Sequence, residues 1–556
     1  MASPGAAPRR LVAVLAEAYE CLVNARATKP KQDAEQVARA IIDGVHAHSR
    51  YGAAAQDATC LALTLIGRIV ATVTAPTSHL ARFYQDTLEV LLRDLDVVSQ
   101  MVATFACEER DQVVRHLAAK SASACVLYQL QVSGVLHPSW HGTCERALLS
   151  LPAGPQLDAC LWSLTHVLQE LLRTKRPEPV RTLIAAFDVS VCTAASRFLS
   201  ADQSAGGASG LADTFCHLLD LLEFLTASGG GSPRLTYVHA AALVAAVSRA
   251  PLYFVSKRAA LLLKRAALRK AGEDWLGMCG ESAADLGALT AAVLDAATAD
   301  WLSSVSAESL TFFGGSRSTK GGSEDGECDT AMLRAVSLLL IKSVQYHVTS
   351  AATGDGEAGG HLTRLWRFLR ERGVRPTDGD HDCALLPLLF GEQDDDMMEA
   401  AKAALVIFLR LRENCASAEA PCAAGCNPHC HFLFLLRAVW WDHRILLDFL
   451  MSTETCFLEY FLRYLRYLRT EWRGFAASCR RLDAEALPRV PFGRDGEGRR
   501  RRRTGQHTLG RARRCLLRLH LLLARLHHKK LFPYKADALL RLLWQVTRQL
   551  GQDGLT

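Results

Sequence analysis

A chain of 556 residues is too long for one compact core, and a hydrophobic fraction of 49% with 22% charged residues is ordinary for a folded soluble protein. Several domains or one elongated helical array remain. The net charge of +7 is unevenly spread: between Arg489 and Lys530 there are 14 Lys or Arg against Asp495 and Glu497, so a tail of +12 follows a body of −5.

Leu and Ala are abundant, Ile is scarce and no alternating β-branched runs occur, so helix propensity and pattern agree along the whole chain. The opening MASPGAAPRRLVAVLAEAYE has its apolar run interrupted by Glu17, too early for a secretory signal, and reads as a first amphipathic helix. DAEQVARAIIDGVHAH follows, with Asp33 as N-cap and Gln36 at capping-box spacing. The longest apolar stretch, LALTLIGRIVATVTAP, carries Arg68 in its middle and reads as too short to span a bilayer. With neither an export signal nor a membrane segment expected, the 18 Cys read as reduced, mostly buried thiols of a cytoplasmic or nuclear protein.

HLARFYQDTLEVLLRDLDVVSQMVATF reads as one long helix. QLDACLWSLTHVLQELLR, PVRTLIAAFDVSVCTAASRFL, ADTFCHLLDLLEFLTA and the run from Thr236 to Leu268 continue the pattern, with Gly/Pro breaks between them. Helices of this length with short connections point to an all-α, degenerate armadillo/HEAT-like array (an α-solenoid), with separate helical bundles as the competing architecture. The expected division is a helical array over 1–313, a disordered loop over 314–328, a helical region over 329–487, a basic disordered linker over 488–510 and a small helical hairpin over 511–556. Ala352–Gly360 is a further Gly- and charge-rich stretch with little to bury.

Enzyme chemistry finds no support. Gly354, Gly356 and Gly359 satisfy G-x-G-x-x-G, but after a helix rather than a strand, and Asp355 and Glu357 would repel a pyrophosphate. No P-loop, HExxH or G-x-S-x-G occurs, so no catalytic residue and no cofactor is expected. Asp394, Asp395 and Asp396 have the oxygens magnesium prefers, yet they open the helix MMEAAKAALVIFLRLR and suit the positive end of its dipole. Cys415, Cys422, Cys426 and Cys430 with His429 and His431 carry zinc's ligand types. Their C-x3-C-x3-C spacing is not the usual knuckle, and Asn427-Pro428 reads as the N-cap and first residue of the next helix, so a structural role competes with a metal site.

Asp442 is placed to cap a helix with Ile445, Leu446, Phe449 and Leu450 inward, and Ser452 to cap another. On that helix Phe457, Leu458, Phe461, Leu462, Leu465 and Leu468 form the inner stripe, and Glu459 pairs with Arg463. Tyr460, Arg463, Tyr464 and Tyr467 form a candidate interaction flank, since Tyr and Arg favour interfaces. Arg499, Arg500, Arg501, Arg502 and Arg503 read as an extended, solvated run suited to the acidic groove of an import receptor. Leu531-Phe532-Pro533-Tyr534 reads as the connection of the final hairpin.

Three blocks, GEQDDDMMEAAKAALVIFLRLR, LLDFLMSTETCFLEYFLRYLRYL and RLHHKKLFPYKADALLRLL, resemble the Lines family, animal proteins related to the segment-polarity protein Lines. The likeness covers about Thr330 to Leu550. It implies a non-enzymatic developmental regulator acting in Wnt/Wingless-type signalling, cytoplasmic and nuclear, linked to transcription through regulatory protein partners, with no small-molecule substrate and no membrane insertion. The alternative is a nuclear regulator that holds nucleic acid through the basic tail, which by itself binds phosphate without specificity.

Overall fold

The computed structural model describes the chain apart from residues 1–5, 24–32, 76–80, 108–110, 175, 201–208, 229–233, 251, 275–281, 308–327, 351–356, 377–380, 415–421, 423, 486–496 and 553–556. The described residues fold into α-helices with short 3₁₀ and π turns and no β-strand. They form two compact units, the first of Met1–Leu243 with Ala250–Leu262 and the second of Val244–Arg249 with the chain from Leu263 onward, so the boundary expected at 313 falls inside the second unit. The loop expected over 314–328 lies, but for Cys328, outside the described residues.

In the first unit the helices Gln56–Thr74, Gln112–Ser133, Pro155–Arg173 and Ser209–Ser228 pack in succession as one row. Helices Ala34–Tyr51, Val97–Phe105 and Pro138–Ser150 lean on that row from the other layer, the paired arrangement of a helical array. Small polar residues bridge the row where side chains are short. Ser121 Oγ donates to the Leu63 carbonyl (2.7 Å), and Ser163 Oγ meets both Ser123 Oγ (2.7 Å) and Trp140 Nε1 (2.9 Å). Gly44 lets the Ala34–Tyr51 helix approach closely, for a Cβ there would lie 2.6 Å from that of Ala62. Asp33 caps that helix as expected, accepting from Gln36 N. Two helices of this unit, Gln56–Thr74 and Pro177–Leu199, do have the length and apolarity to cross a bilayer. Each buries one face in the array, through Leu63, Ile66 and Ile69 and through Leu183, Phe187 and Val191.

The expected long helix from His79 to Phe105 is broken. A π turn at Val90–Asp94 ends its first part, and Asp96, left-handed at φ 43°, caps Val97–Phe105 by accepting from Ser99 N. Asp tolerates that conformation better than most residues, and the apolar stripe continues across the break, which is why periodicity alone hides it.

The second unit repeats the plan. Ser282–Thr298, Thr330–Ser350, Asp394–Asn414, Phe457–Thr470 and Asp537–Gln552 form its row. Glu357–Glu371, Pro428–Ala438, Trp472–Glu485 and Glu497–His528 supply the second layer. The Glu357 helix begins inside a stretch expected to be disordered, because Ala358 is buried and Glu357 sits at the positive helix end. The basic linker likewise ends early: residues 497–510, the arginine run included, lie within the Glu497–His528 helix. Arginine is a good helix former, and this segment leads without a Pro into the Leu stripe of Leu516, Leu519 and Leu523, all buried.

The C-terminal hairpin closes as expected, with Leu539, Leu543 and Val546 buried on its second helix. It is no separate body. Arg469 donates to Gln545 (3.1 Å), Thr508 Oγ1 donates to the buried Asp483 (2.5 Å), and Asp537–Gln552 packs along Phe457–Thr470.

Ions cross the row's interior. Lys342, with 3% of its side chain exposed, meets Glu399 at 2.9 Å; Glu399 meets Lys402 at 3.1 Å; Lys402 meets Glu459 at 3.2 Å; and Glu459 meets Arg463 at 3.0 Å, the pairing expected from sequence. This ladder joins three consecutive helices of the row beside a cleft of about 310 Å³. Burial pushes the Glu399 carboxyl up, but Lys342 and Lys402 outweigh it and hold the group at about 2, below the ordinary 4.5. A lowered folded value means stability that is present above 4.5 and is lost as the pH falls towards 2. Replacing Glu399 by Gln strands the buried Lys342 ammonium and leaves Lys402 with Glu459 alone, so denaturant melts at neutral pH should show a loss of about 3–5 kcal/mol. The variant should also lack the wild type's acid-side loss over that window, and equal acid profiles for the two proteins would remove the ladder from the stability account.

Candidate functional site

The Tyr/Arg flank is not a surface. Tyr460 and Tyr464 are fully buried and Tyr467 nearly so; only Arg463 reaches water, and it is tied to Glu459. Phe432 covers Tyr464 at 4.3 Å between ring centroids, and Tyr467 stacks on His429 at 4.9 Å. A row helix has neighbours on both sides, so its buried arc is wider than one stripe and takes in the tyrosines, while Leu458 and Leu462 are only half-buried. Burial pushes the Tyr460 and Tyr464 hydroxyls up. Ser452 does not cap this helix: it ends the preceding one and accepts from Glu454 N (3.2 Å), and the helix starts at Phe457 behind Cys456. Asn427 and Asp442 cap the helices expected of them, accepting from His429 N and Arg444 N.

The acids at 394–396 open their helix as expected, and Asp396 is paired with Lys264 at 2.6 Å. Gly359 lies in the first turn of the Glu357 helix, while Gly354 and Gly356 fall outside the described residues. Of the arginine run only the helical backbone is described.

The six-residue Cys/His cluster separates. Cys415 lies outside the described residues. His429 sits in the aromatic core, its Nδ1 3.2 Å from the Tyr464 hydroxyl, and burial holds it neutral, its value lowered to about 3. His431 Nε2 lies 3.1 Å from the Gly425 carbonyl, and burial lowers its value to about 4. Cys426 is a buried thiol that burial pushes up to about 12.

Cys422 and Cys430 instead meet His381 and Cys383, and one ligand atom from each of the four lies within 4.8 Å of all the others. His381 caps a 3₁₀ turn, Asp382–Ala384, that contains Cys383, and Cys430 stands in the first turn of Pro428–Ala438. The strap carrying Cys422 is pinned at three points. Trp366 Nε1 donates to the Ala424 carbonyl (2.9 Å), His431 holds Gly425, and Asn427 Nδ2 donates to Cys422 Sγ (3.2 Å). Gly425, at φ 67°, has to be glycine, since a Cβ would lie 2.6 Å from Trp366 Nε1. From Trp472–Glu485, Arg481 donates to Cys422 Sγ at 2.6 Å. Hydrogen bonds from Cys383 and Cys430 push the Cys422 thiol far down, and bonds to Cys422 and Cys430 raise His381 to about 10. Burial pushes the Cys383 thiol the other way, well up, so the sulfur favoured as an anion is that of Cys422. His381 and Cys383 stand some forty residues upstream of Cys422, so only the H-x-C pair itself was available in the sequence to suggest them.

A second local feature lies between Pro428–Ala438 and His443–Met451. Trp440 and Trp441 are both left-handed (φ 55° and 61°), and Trp440 is 84% exposed. The corner is closed by Trp441 N donating to Leu436 O (2.8 Å) and Asp442 N to Val439 O (2.9 Å), and Arg511 lies over the Trp441 ring at 5.2 Å.

A family model described as Lines N-terminus matches residues 163–479, and one described as Lines C-terminus matches 512–548, extending the likeness well upstream of Thr330. Protein Lines homolog 1 of Homo sapiens is 30% identical over 443 residues, 73% of this chain and 58% of that protein. The Mus musculus protein of the same name is 32% identical over 466 residues, 76% and 60% of the two chains. Protein lines of Drosophila melanogaster is 30% identical over 238 residues, 39% of this chain and 25% of that one. The chain therefore spans about three-fifths of the mammalian relatives' length. Among solved structures, a "circular tandem repeat protein with novel repeat topology and enhanced subunit contact surfaces" aligns at 13% identity with a TM-score of 0.24, too low to bear on the fold. With both terminal models matched in order and the mammalian likeness covering about three-quarters of its length, the chain belongs to the Lines family.

Proposed function

We propose that this protein is a non-enzymatic helical scaffold that regulates developmental, Wnt/Wingless-type signalling, and through it transcription, by contacts with regulatory proteins. The Trp440–Trp441 corner carries the reading. Consecutive left-handed bulky residues cost on the order of 1–3 kcal/mol each, and this strain presents an indole almost wholly to water. Trp is the side chain most enriched among residues that dominate binding energy, and the corner is held by bonds that do not involve the exposed ring. Replacing Trp440 by Ala should leave the melting temperature unchanged. It should remove a defined subset of neighbours in a proximity-labelling census and weaken a Wnt-responsive reporter. An unchanged census and an unchanged reporter would discard the scaffold reading at this corner.

Entry into the nucleus belongs to the same proposal. Residues 499–503 would serve an import receptor once their helical turn opens, since such receptors take extended basic strands. Changing all five arginines to Gln should shift the protein towards the cytoplasm, and an unaltered distribution by imaging would count against the run as an import signal.

A polyanion-binding role is the second reading, favoured by the exposure of Arg513, Arg514, Arg518 and Arg525 opposite the buried Leu stripe of the same helix. Changing Arg513, Arg514 and Arg518 to Gln should flatten the salt dependence of DNA binding by about 0.9 in log–log slope for each phosphate that is no longer neutralised. A slope that does not move would place the nucleic-acid interface elsewhere or nowhere.

A further inference from the structure

We propose that His381, Cys383, Cys422 and Cys430 form a closed, four-coordinate structural site for a zinc ion. Two edges of the group have tetrahedral lengths, and all four ligand atoms lie within 4.8 Å of one another. With Zn–S near ~2.3 Å and Zn–N near ~2.0 Å, the sulfur–sulfur edge should be about 3.8 Å and the sulfur–nitrogen edge about 3.5 Å. Cys422 Sγ and Cys430 Sγ are 3.8 Å apart, and Cys430 Sγ and His381 Nε2 are 3.5 Å apart. Three thiolates and one imidazole are ligands of the kind zinc selects, and four protein ligands leave no open position for a substrate.

The surroundings fit as well. Cys383 and Cys430 are buried, and Cys422 Sγ receives N–H groups from Asn427 (3.2 Å) and Arg481 (2.6 Å), the outer contacts that orient a metal thiolate. Three thiolates around a dication leave one negative charge, and the Arg481 guanidinium supplies the matching positive one. Asn427 serves twice, capping its helix through Oδ1 and holding Cys422 through Nδ2, so helix start and ligand position are coupled. Binding needs all three sulfurs as thiolates and a neutral His381 with Nε2 free, so the imidazole proton sits on Nδ1 and the 3.2 Å contact from Cys383 N to Nδ1 no longer serves as a hydrogen bond. The ion would join the turn at Asp382–Ala384, the Cys422 strap and the start of Pro428–Ala438.

The test is metal content of the full chain, expressed in zinc-supplemented medium, purified without chelator and measured by plasma mass spectrometry. About one zinc per chain is expected. Replacement by Co(II) should give the intense visible bands of a tetrahedral cobalt thiolate, a readout that needs no variant. Cys422→Ser and Cys430→Ser should each lose the metal, whereas Cys426→Ser, a buried thiol outside the group, should keep it. His381→Cys preserves four ligands and should also retain one metal, with a more intense sulfur-to-cobalt charge-transfer band. That variant guards against reading a simple folding failure as loss of a ligand. Wild-type protein with no bound zinc and no tetrahedral cobalt spectrum would overturn the proposal. So would full retention of metal in both Ser variants, or a Cys422–Cys430 disulfide in protein purified under reducing conditions.

Discussion

Lys342, Glu399, Lys402 and Glu459 set the terms on which three helices of the second unit stand side by side. Charged groups this deep are tolerable only when each meets its counter-ion, and the ladder meets that condition only if Thr330–Ser350, Asp394–Asn414 and Phe457–Thr470 keep one register and one spacing. Apolar packing alone specifies register less sharply, because the attraction between apolar side chains is non-directional. The Thr330–Ser350 helix shows the contrast: it is buried from Met332 to Val344 almost without interruption, and of the two cations in that run, Arg334 and Lys342, Lys342 is the deeper. Its ammonium group therefore fixes a helix that its hydrophobic residues would only hold.

The same register places the aromatic core. With Glu459 directed towards Lys402, the same helix carries Phe461 and Tyr464 against Phe432, stacks Tyr460 on Tyr464, and lets His429 close on Tyr464 and Tyr467. Pro428–Ala438 is thereby held with its first turn beside the strap from Cys422, and the four-residue Cys/His group follows from that placement. Packing in the row and ligand geometry in the second layer are one arrangement seen from two sides.

Much of the fold is legible in the sequence because its signals are local. Asp33, Asn427 and Asp442 precede apolar runs and cap the helices that follow, and the i,i+4 pair Glu459–Arg463 needs only helical spacing. Features set by neighbours far along the chain are not legible. The tyrosines of the Phe457 helix read as a flank until helices from either side bury them. His381 and Cys383 carry no mark that ties them to Cys422, since two helices and the strap lie between them in the chain. The break at Asp96 hides for the opposite reason, that the apolar stripe is the same on both sides of it. Trp440 carries no mark of exposure in the sequence and faces water because two left-handed residues turn the chain there.

The C-terminal hairpin covers one flank of the second unit. Asp537–Gln552 lies against Phe457–Thr470 as the last described helix of the row, while Glu497–His528 covers Trp472–Glu485. In a stack of helices each member shields the one before it, and the final member has to present a face that tolerates water. Here that face carries Arg541, Trp544 and Arg548, with the guanidinium of Arg548 5.3 Å from the indole. The tail, with its net charge of +12 between Arg489 and Lys530, thus also covers the flank of the row. Cutting it away would uncover the apolar flank of the Phe457 helix at the same stroke as it removed the charge, and the shortened chain would acquire adhesive properties the intact one does not have.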